Sequence, residues 1–166
     1  FNADEIVALA KAAGMRSIVI TTKHHDGFCM FNTATTEYNS VNATPSKRDY
    51  VKELSDACRR GGINFAMYYS LIDWNFPHAY PISSHNCDFI TPQHHEFSKA
   101  QITELLTNYG PVSELWFDMG SNQPEQSKEL YELVHKLQPD CMVSGRLGNG
   151  WYDFAVMADN KYPEGA

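Results

Sequence analysis

The stretch Thr21-Thr22-Lys23-His24-His25-Asp26-Gly27-Phe28 directly follows an apolar, β-branched run at residues 18–20. Two adjacent histidines and an aspartate therefore lie where a buried strand ends in a loop. Burying such groups without partners is costly, so they are not expected inside a packed core. In folds built from parallel strands, ligands bind at the carboxyl ends of the strands. The stretch therefore predicts a polar site at the end of a parallel strand.

Three further apolar runs end in polar side chains, and each follows a helical pattern. They cover residues 63–70, 114–120 and 141–146. The second ends in the carboxylate of Asp118, and the third ends in Arg146. Strands that alternate with helices in this way predict parallel βα units in an α/β fold. Polar groups gathered at the carboxyl ends of such strands are typical of the catalytic face of a TIM barrel.

Periodicity and capping residues predict where the helices and strands lie. The predicted helices cover residues 3–13, 47–60, 93–108 and 124–137, and the predicted strands cover residues 16–22, 63–70, 113–119 and 141–145. Long loops follow the strands, and short connections lead back from helix to strand, as in a TIM barrel. About four βα units are half of the eight in a (β/α)8 barrel. We therefore expect residues 1–166 to be a single incomplete segment, the central portion of a (β/α)8-like catalytic domain.

Composition argues against several classes of function. The chain has 166 residues, of which 43% are hydrophobic and 20% charged, as in ordinary globular domains. Its net charge is −7 and it has no basic patch, so a nucleic-acid partner is not expected. No apolar run is long enough to cross a membrane. The four cysteines form no Cys-x-x-Cys pair, which favours free, buried thiols over a zinc or redox site.

Asp118 is the sharpest candidate for chemistry. A carboxylate at the mouth of a barrel strand can act as a nucleophile or a general base. The residue can equally be an N-cap or a loop carboxylate, and the local sequence does not separate these roles. Arg146 could pair with Asp118 or with a substrate oxygen. Trp116 shares the parity of Asp118 but lies deeper in the strand, so it is expected in the core.

The histidines allow several interpretations. His24 and His25 could bind a metal, donate hydrogen bonds to a ligand or perform acid/base chemistry. Neighbouring residues at a strand end point to opposite sides, so the pair is not expected to chelate one metal ion. The sequence His94-His95-Glu96 begins a predicted helix, and these residues are expected on a solvated first turn.

Tyr68 and Tyr69 are neighbours on a predicted strand, so their side chains should alternate. One should face the barrel interior and the other the helices.

Several motifs, taken together and in order, resemble the family 29 alpha-L-fucosidases. They lie at residues 22–28, 39–41, 47–49, 68–70 with 73–74, and 115–119. The resemblance spans roughly residues 1–160. It implies a (β/α)8-like barrel, usually followed by a β-sandwich, and retaining exo-hydrolysis of terminal alpha-L-fucose without a metal or cofactor. It further implies a fucosylated glycan or oligosaccharide as the substrate, and a secreted, periplasmic or lysosomal location.

The resemblance also assigns roles by position. Asp118 matches the family's nucleophile, which forms a covalent fucosyl-enzyme in a retaining reaction. His24 and His25 match the paired histidines that bind fucose hydroxyls. Tyr68 matches a tyrosine near the nucleophile, and Arg146 matches an arginine that follows the next strand in some members.

The general acid/base is less well defined by the resemblance. The nearest matching position holds Asp159, and Glu164 lies a little further along the chain. Aspartate is shorter than glutamate, which matters when the two carboxyl groups of a retaining enzyme lie about 5 Å apart. The acid/base varies in position across the family, so a residue beyond Ala166 is also open.

Trp74 is a candidate for substrate binding, as an aromatic platform for a sugar ring.

Two other functions stay open from the sequence. One is a catalytically inactive relative that binds fucose or a glycan, which the unassigned acid/base allows and the presence of Asp118 disfavours. The other is a metal-dependent barrel hydrolase that uses His24 and Asp118. The spacings His-x-His and His-Glu-x-x-His, which such enzymes use, are absent. The sequence leaves the oligomeric state open.

Overall fold

The fold alternates helices with parallel strands. A computed structural model describes residues 1–78, 89–119, 121–162 and 164. The helices are α1 (Ala3–Ala12), α2 (Tyr50–Gly61), α3 (Pro92–Asn108) and α4 (Pro124–Leu137), and the strands are β1 (Ser17–Lys23), β2 (Asn64–Ser70), β3 (Glu114–Asp118) and β4 (Met142–Val143). The strands form one parallel sheet in the order β1-β2-β3-β4. The predicted α/β class is confirmed, and consecutive βα units in this order are the arrangement of part of a TIM barrel.

Two predicted elements have boundaries that are wrong by two or three residues. Helix α2 begins at Tyr50 rather than at residue 47, because Lys47 has a left-handed φ of 50° and Asp49 caps the helix by accepting a hydrogen bond from the Lys52 amide. Strand β4 is shorter than predicted, because the chain turns into a single 3-10 turn at Gly145–Leu147. The backbone of residues 154–156 passes so close to Gly145 that a Cβ there would lie 3.1 Å from a backbone nitrogen.

The two faces of the sheet differ in chemistry. The face toward the helices is apolar and fully buried, with Met67, Leu115, Phe117 and Val143 at its centre. The other face carries larger and more polar side chains toward the carboxyl ends of the strands. The β2–β3 register places Tyr68 beside Trp116 and Ser70 beside Asp118 on this second face. The apolar face therefore anchors the sheet, and the opposite face presents the polar residues.

Side-chain hydrogen bonds shape the long loop after β1. The Asn39 side-chain oxygen accepts hydrogen bonds from the backbone N–H groups of residues 41 and 42, and its amide donates to the Thr36 carbonyl at 2.8 Å. The Ser40 hydroxyl donates to the Arg48 carbonyl at 2.7 Å. The motifs at residues 39–41 and 47–49 therefore have a structural role, which is to fix the loop and the start of α2.

Cys29, Cys58 and Cys141 are free, buried thiols, as predicted. Cys87 lies outside the described residues. No helix in the described parts of the chain is both long and apolar enough to cross a membrane.

A shift of register at the end of β1 creates a buried ion pair. The shift lies between Thr21 and Lys23, so that Lys23 pairs with Tyr69 and turns to the helix side of the sheet. There its ammonium lies 3.3 Å from Asp73 Oδ2, and both side chains are almost completely buried. Burial lowers the pKa of Lys23, and the nearby Asp73 charge opposes that effect. The other oxygen of Asp73 accepts the backbone N–H groups of residues 75 and 76, so the pair ties the loop after β2 to the end of β1.

We expect Lys23→Met to lower the free energy of unfolding by about 3–5 kcal/mol, because it leaves the carboxylate of Asp73 buried without its counter-ion. The measurement is urea unfolding of the full-length protein. The matched control is Lys128→Met, which breaks an exposed pair with Glu132 and should cost less than about 1 kcal/mol. The double variant Lys23→Met/Asp73→Asn removes both charges and keeps a side-chain oxygen for the amides of residues 75 and 76, so it should recover part of the loss. Equal effects in Lys23→Met and the control would contradict the role of the pair.

Candidate active site

Four planar groups, one from each strand or from the residues just after it, form a row across the sheet. The His24 ring stacks on the Tyr68 ring, with centroids 5.6 Å apart and planes 10° apart. Tyr68 stacks in turn on Trp116, also at 5.6 Å. The Arg146 guanidinium lies 4.9 Å from the centre of the Trp116 ring. This four-plane row brings together residues that the sequence placed on separate strands.

Asp118 lies at the end of β3, next to this row, and is 8% exposed. Its Oδ2 accepts a hydrogen bond from the Tyr68 hydroxyl at 2.5 Å. Its Oδ1 accepts from Arg146 Nη1 at 3.0 Å and from the Met119 amide at 2.9 Å. The predicted pairing of Arg146 with Asp118 is therefore confirmed.

The surroundings of Asp118 favour its ionised form. Burial acts to raise the pKa of Asp118, but the hydrogen bonds from Tyr68 and Arg146 outweigh it and leave the pKa below its usual value. Burial and the hydrogen bond to Asp118 raise the pKa of Tyr68 above its usual value. At neutral pH the pair therefore consists of a carboxylate and a phenol that donates to it.

The backbone after Asp118 is strained. Met119 has a left-handed φ of 58°, a conformation that costs a residue with a side chain about 1 kcal/mol or more. The Met119 amide donates to the Asp118 carboxylate in this conformation. Asp118 therefore has the loop role that the sequence allows, as the acceptor for the Met119 amide. The same carboxylate also contacts Tyr68 and Arg146 in the site.

The two candidates for the acid/base differ in their contacts. Arg146 Nη2 donates to the carboxylate of Asp159, while Nη1 of the same guanidinium donates to Asp118. Asp159 and Asp118 are therefore both neighbours of Arg146. Glu164 is exposed and makes no hydrogen bond or ion pair with any residue that the structure describes.

His25 and Trp74 form the other side of the site. His25 Nδ1 lies 2.7 Å from Ser70 Oγ, and the His25 carbonyl accepts the Trp74 amide at 2.8 Å. The Trp74 ring lies 5.8 Å from the His25 ring and is 44% exposed. Burial, followed by the neighbouring His24, lowers the pKa of His25, so the ring is neutral at neutral pH.

The expectation that His24 and His25 point to opposite sides is wrong. Their ring centroids lie only 3.9 Å apart. Strand β1 ends at Lys23, so both histidines lie beyond the pleated backbone that makes neighbouring side chains alternate. For the tyrosines on β2 the alternation is confirmed, because Tyr68 faces the site and Tyr69 is buried against α3, where it donates to Gln101.

The prediction that residues 94–96 form a solvated first turn is wrong for two of the three. His94 is 2% exposed and His95 is 6% exposed. His94 packs against the rings of Phe76 and Phe97, and burial lowers its pKa to about 4. Residue polarity could not show that the first turn of α3 would be covered in this way.

One group of side chains has the composition of a metal site. Donor atoms of His95, Glu96 and Glu129 lie within 4.8 Å of one another. The ammonium of Lys99 donates to both carboxylates at 3.1 Å. Lys99 therefore supplies positive charge to both carboxylates, in an ion-pair network on α3 and α4.

Two clefts border the sheet at opposite ends. One of about 490 Å³ lies beside His24 and is lined by apolar residues that include Ile20, Phe28 and Tyr50. Another, of about 820 Å³, lies at the amino ends of the strands around Ile63 and contains none of the predicted site residues. The lining of the smaller cleft includes His24 but not Asp118, Tyr68 or Arg146, so it lies beside the site.

Two residues of the site were not identified from the sequence. Trp116 was expected in the core, but it is half-buried and forms part of the four-plane row. Its parity with Tyr68 and Asp118 was the signal that pointed to the site face. Ser70 was noted only as the polar end of a strand, although its register with Asp118 places it in the site.

Comparison with known proteins identifies the family. The model of the family described as Alpha-L-fucosidase matches residues 1–165. The chain belongs to the alpha-L-fucosidase family. Alpha-L-fucosidase 1 of Arabidopsis thaliana is 33% identical over 156 residues, which are 89% of this chain and 29% of that protein. Plasma alpha-L-fucosidase of Rattus norvegicus is 34% identical over 146 residues, which are 87% of this chain and 25% of that protein.

Solved structures of fucosidases share the fold. The chain superposes on alpha-L-fucosidase AlfC from Lactobacillus casei in complex with alpha-L-fucose product, with a TM-score of 0.84 and 39% identity, over 98% of this chain and 57% of that one. An alpha-L-fucosidase from Vibrio sp. strain EJY3 gives a TM-score of 0.79 and 35% identity, over 93% of this chain and 30% of that one. The described sheet is therefore part of the TIM barrel of this family. The chain spans about a quarter to a third of the length of the curated relatives it matches.

Proposed function

We propose that the protein containing this chain is a retaining, exo-acting alpha-L-fucosidase that releases terminal alpha-L-fucose from glycans or oligosaccharides. The observation that carries the proposal is the buried, ionised Asp118 held by Tyr68 and Arg146 at the strand ends of a fucosidase-family barrel. Structures of the Lactobacillus casei relative contain alpha-L-fucose and 4-nitrophenyl-alpha-L-fucopyranoside, which supports a fucoside as the substrate.

Asp118 would act as the nucleophile. A carboxylate oxygen attacks the anomeric carbon, the bond to the leaving oxygen breaks, and a covalent fucosyl ester forms on Asp118. The depressed pKa of Asp118 keeps it ionised for attack and makes it a good leaving group when water cleaves the ester. Tyr68 and Arg146 hold the carboxylate in one orientation, which supplies the positioning that such a reaction needs.

Asp159 is our candidate for the general acid/base. In the first step it would give its proton to the departing oxygen, and in the second it would take a proton from the attacking water. The support is its contact with the same guanidinium that holds Asp118. Its side chain is 81% exposed, so the water of the second step can reach it.

The remaining predicted residues would bind the sugar. His24 stacks on Tyr68, which contacts Asp118, and His25 lies beside Trp74, which supports a role for both histidines in binding sugar hydroxyls. The half-exposed ring of Trp74 would stack on the C–H face of a sugar. Such contacts would suit a neutral, hydroxyl-rich ring such as fucose.

We expect Asp118→Ala to lower kcat/KM for 4-nitrophenyl alpha-L-fucoside by about four orders of magnitude or more, as loss of a covalent nucleophile does in other enzymes. The full-length protein should be used. Sodium azide added to the variant should restore turnover and give a fucosyl azide, because the small anion can occupy the space left by the carboxylate.

The matched control is Asp140→Ala, which removes an exposed aspartate before β4 and should leave activity unchanged. Full activity in Asp118→Ala would refute the assignment of the nucleophile. A folded wild-type protein that bound fucose without hydrolysing any fucoside would instead indicate the inactive glycan-binding relative.

We expect Tyr68→Phe to shift the acidic limb of the kcat/KM profile upward by about one pH unit. The Tyr68 hydroxyl lowers the pKa of Asp118, so removal of that hydroxyl lets Asp118 take up a proton at higher pH. A hydrogen bond to a charged group is worth about 1.5–3 kcal/mol. The matched control is Tyr131→Phe, which removes a 2.6 Å hydrogen bond to Asp153 elsewhere and should leave the limb in place. An unmoved limb in Tyr68→Phe would show that Tyr68 does not tune the nucleophile.

We expect Asp159→Asn to lower kcat/KM by about 10²–10⁴-fold on a natural fucoside, whose leaving group needs a proton. The loss on the 4-nitrophenyl fucoside should be smaller, because nitrophenolate leaves without one. Glu164→Gln is the matched control and should behave as wild type on both substrates. The reverse pattern, with Glu164→Gln impaired and Asp159→Asn active, would move the acid/base to Glu164.

A further inference from the structure

The hydrogen bonds around Ser70 determine which nitrogen of His25 carries a proton. The Ser70 hydroxyl donates to the carbonyl of Ile72 at 2.9 Å, and a carbonyl can only accept. Ser70 has a single proton, so its contact with His25 Nδ1 at 2.7 Å must have the histidine as donor. His25 therefore carries its proton on Nδ1 when both bonds are made.

The rest of the His25 environment keeps the ring fixed. Ser70 is fully buried and is the β2 partner of Asp118 in the sheet register, so it is held rigidly. The rings of His24 and Trp74 both lie close to the His25 ring, with centroids 3.9 and 5.8 Å from it. Among the described residues, nothing forms a hydrogen bond with His25 Nε2. The lowered pKa of His25 favours the neutral ring, in which Nε2 has a free lone pair.

We propose that Ser70 is a positioning residue that holds neutral His25 with its proton on Nδ1, so that Nε2 accepts a hydrogen bond from a sugar hydroxyl. The inference rests on the proposed function for the identity of the ligand, and on hydrogen-bond geometry alone for the tautomer. Ser70 contacts the histidine rather than the sugar, and it acts through that ring.

The assignment restricts the ligand chemistry. A bare imidazole nitrogen attracts a hydroxyl donor and repels a carboxylate oxygen, because both carry lone pairs. A sugar with a carboxylate at this point would leave two acceptors facing each other, which is costly in a partly buried site. Ser70 and His25 therefore favour neutral, hydroxylated sugars such as fucose over acidic ones.

The first test measures the tautomer without any substrate. The full-length protein is prepared with ring-¹⁵N-labelled histidine, and the His25 signals are assigned by their loss in His25→Asn. We expect a protonated Nδ1 and an unprotonated Nε2. Addition of L-fucose should move the Nε2 resonance in the direction of an accepted hydrogen bond without protonating it. A protonated Nε2, free or with fucose bound, would overturn the proposal.

The second test uses variants of Ser70. In Ser70→Ala we expect a mixture of the two tautomers and about a ten-fold rise in Kd for L-fucose, the size of one lost hydrogen bond. KM for the 4-nitrophenyl fucoside should rise more than kcat falls, because the contact is made in the ground state and in the transition state. Ser70→Thr keeps the hydroxyl and should restore both the tautomer and Kd.

The matched control is Ser144→Ala, which removes another fully buried hydroxyl that donates to a carbonyl, that of Phe117. It should leave the His25 tautomer and Kd unchanged. A Ser70→Ala protein that kept a single Nδ1–H tautomer and wild-type Kd would refute the role of Ser70. A protein with the expected tautomer that neither bound nor hydrolysed fucosides would refute the proposed function and leave the tautomer assignment standing.

Discussion

The geometry of the site depends on the register shift at the end of β1. Without it, strict alternation would turn the ammonium of Lys23 toward the site face. The shift instead buries Lys23 on the helix side against Asp73. Asp73 then holds the turn that follows β2, and with it the Trp74 amide that binds the His25 carbonyl. One irregular step in one strand thus separates the buried cation from the site and aligns the two loops that frame it.

Much of the architecture follows from sequence patterns. Helix α4 begins and ends where Pro124 and the apolar spacing place it, and the parallel βα order is visible in the four apolar runs. Parity on β2 correctly separated Tyr68 from Tyr69, because that strand is regular and its two faces differ in burial. The meeting of Asp118 with Arg146 was also foreseeable, since the ends of neighbouring parallel strands lie side by side.

The rest depended on features without a local signature. The sequence of β1 contains nothing that marks the register shift before Lys23. The positions of the His24 and His25 rings, which follow the shift, could therefore not be inferred. The burial of His94 depends on the Phe76 loop folding over α3, which is a tertiary contact. Asp159 lies 41 residues beyond Asp118 in an irregular segment, and its contact with the guanidinium that also binds Asp118 is a tertiary feature that no local pattern shows.

That shared guanidinium couples the two halves of the proposed reaction. In the free protein its positive charge is divided between two carboxylates. An ester on Asp118 has no negative charge, so the cation would then face Asp159 alone. The ion-pair partners of Arg146 would thus change during the reaction, from Asp118 and Asp159 together to Asp159 alone.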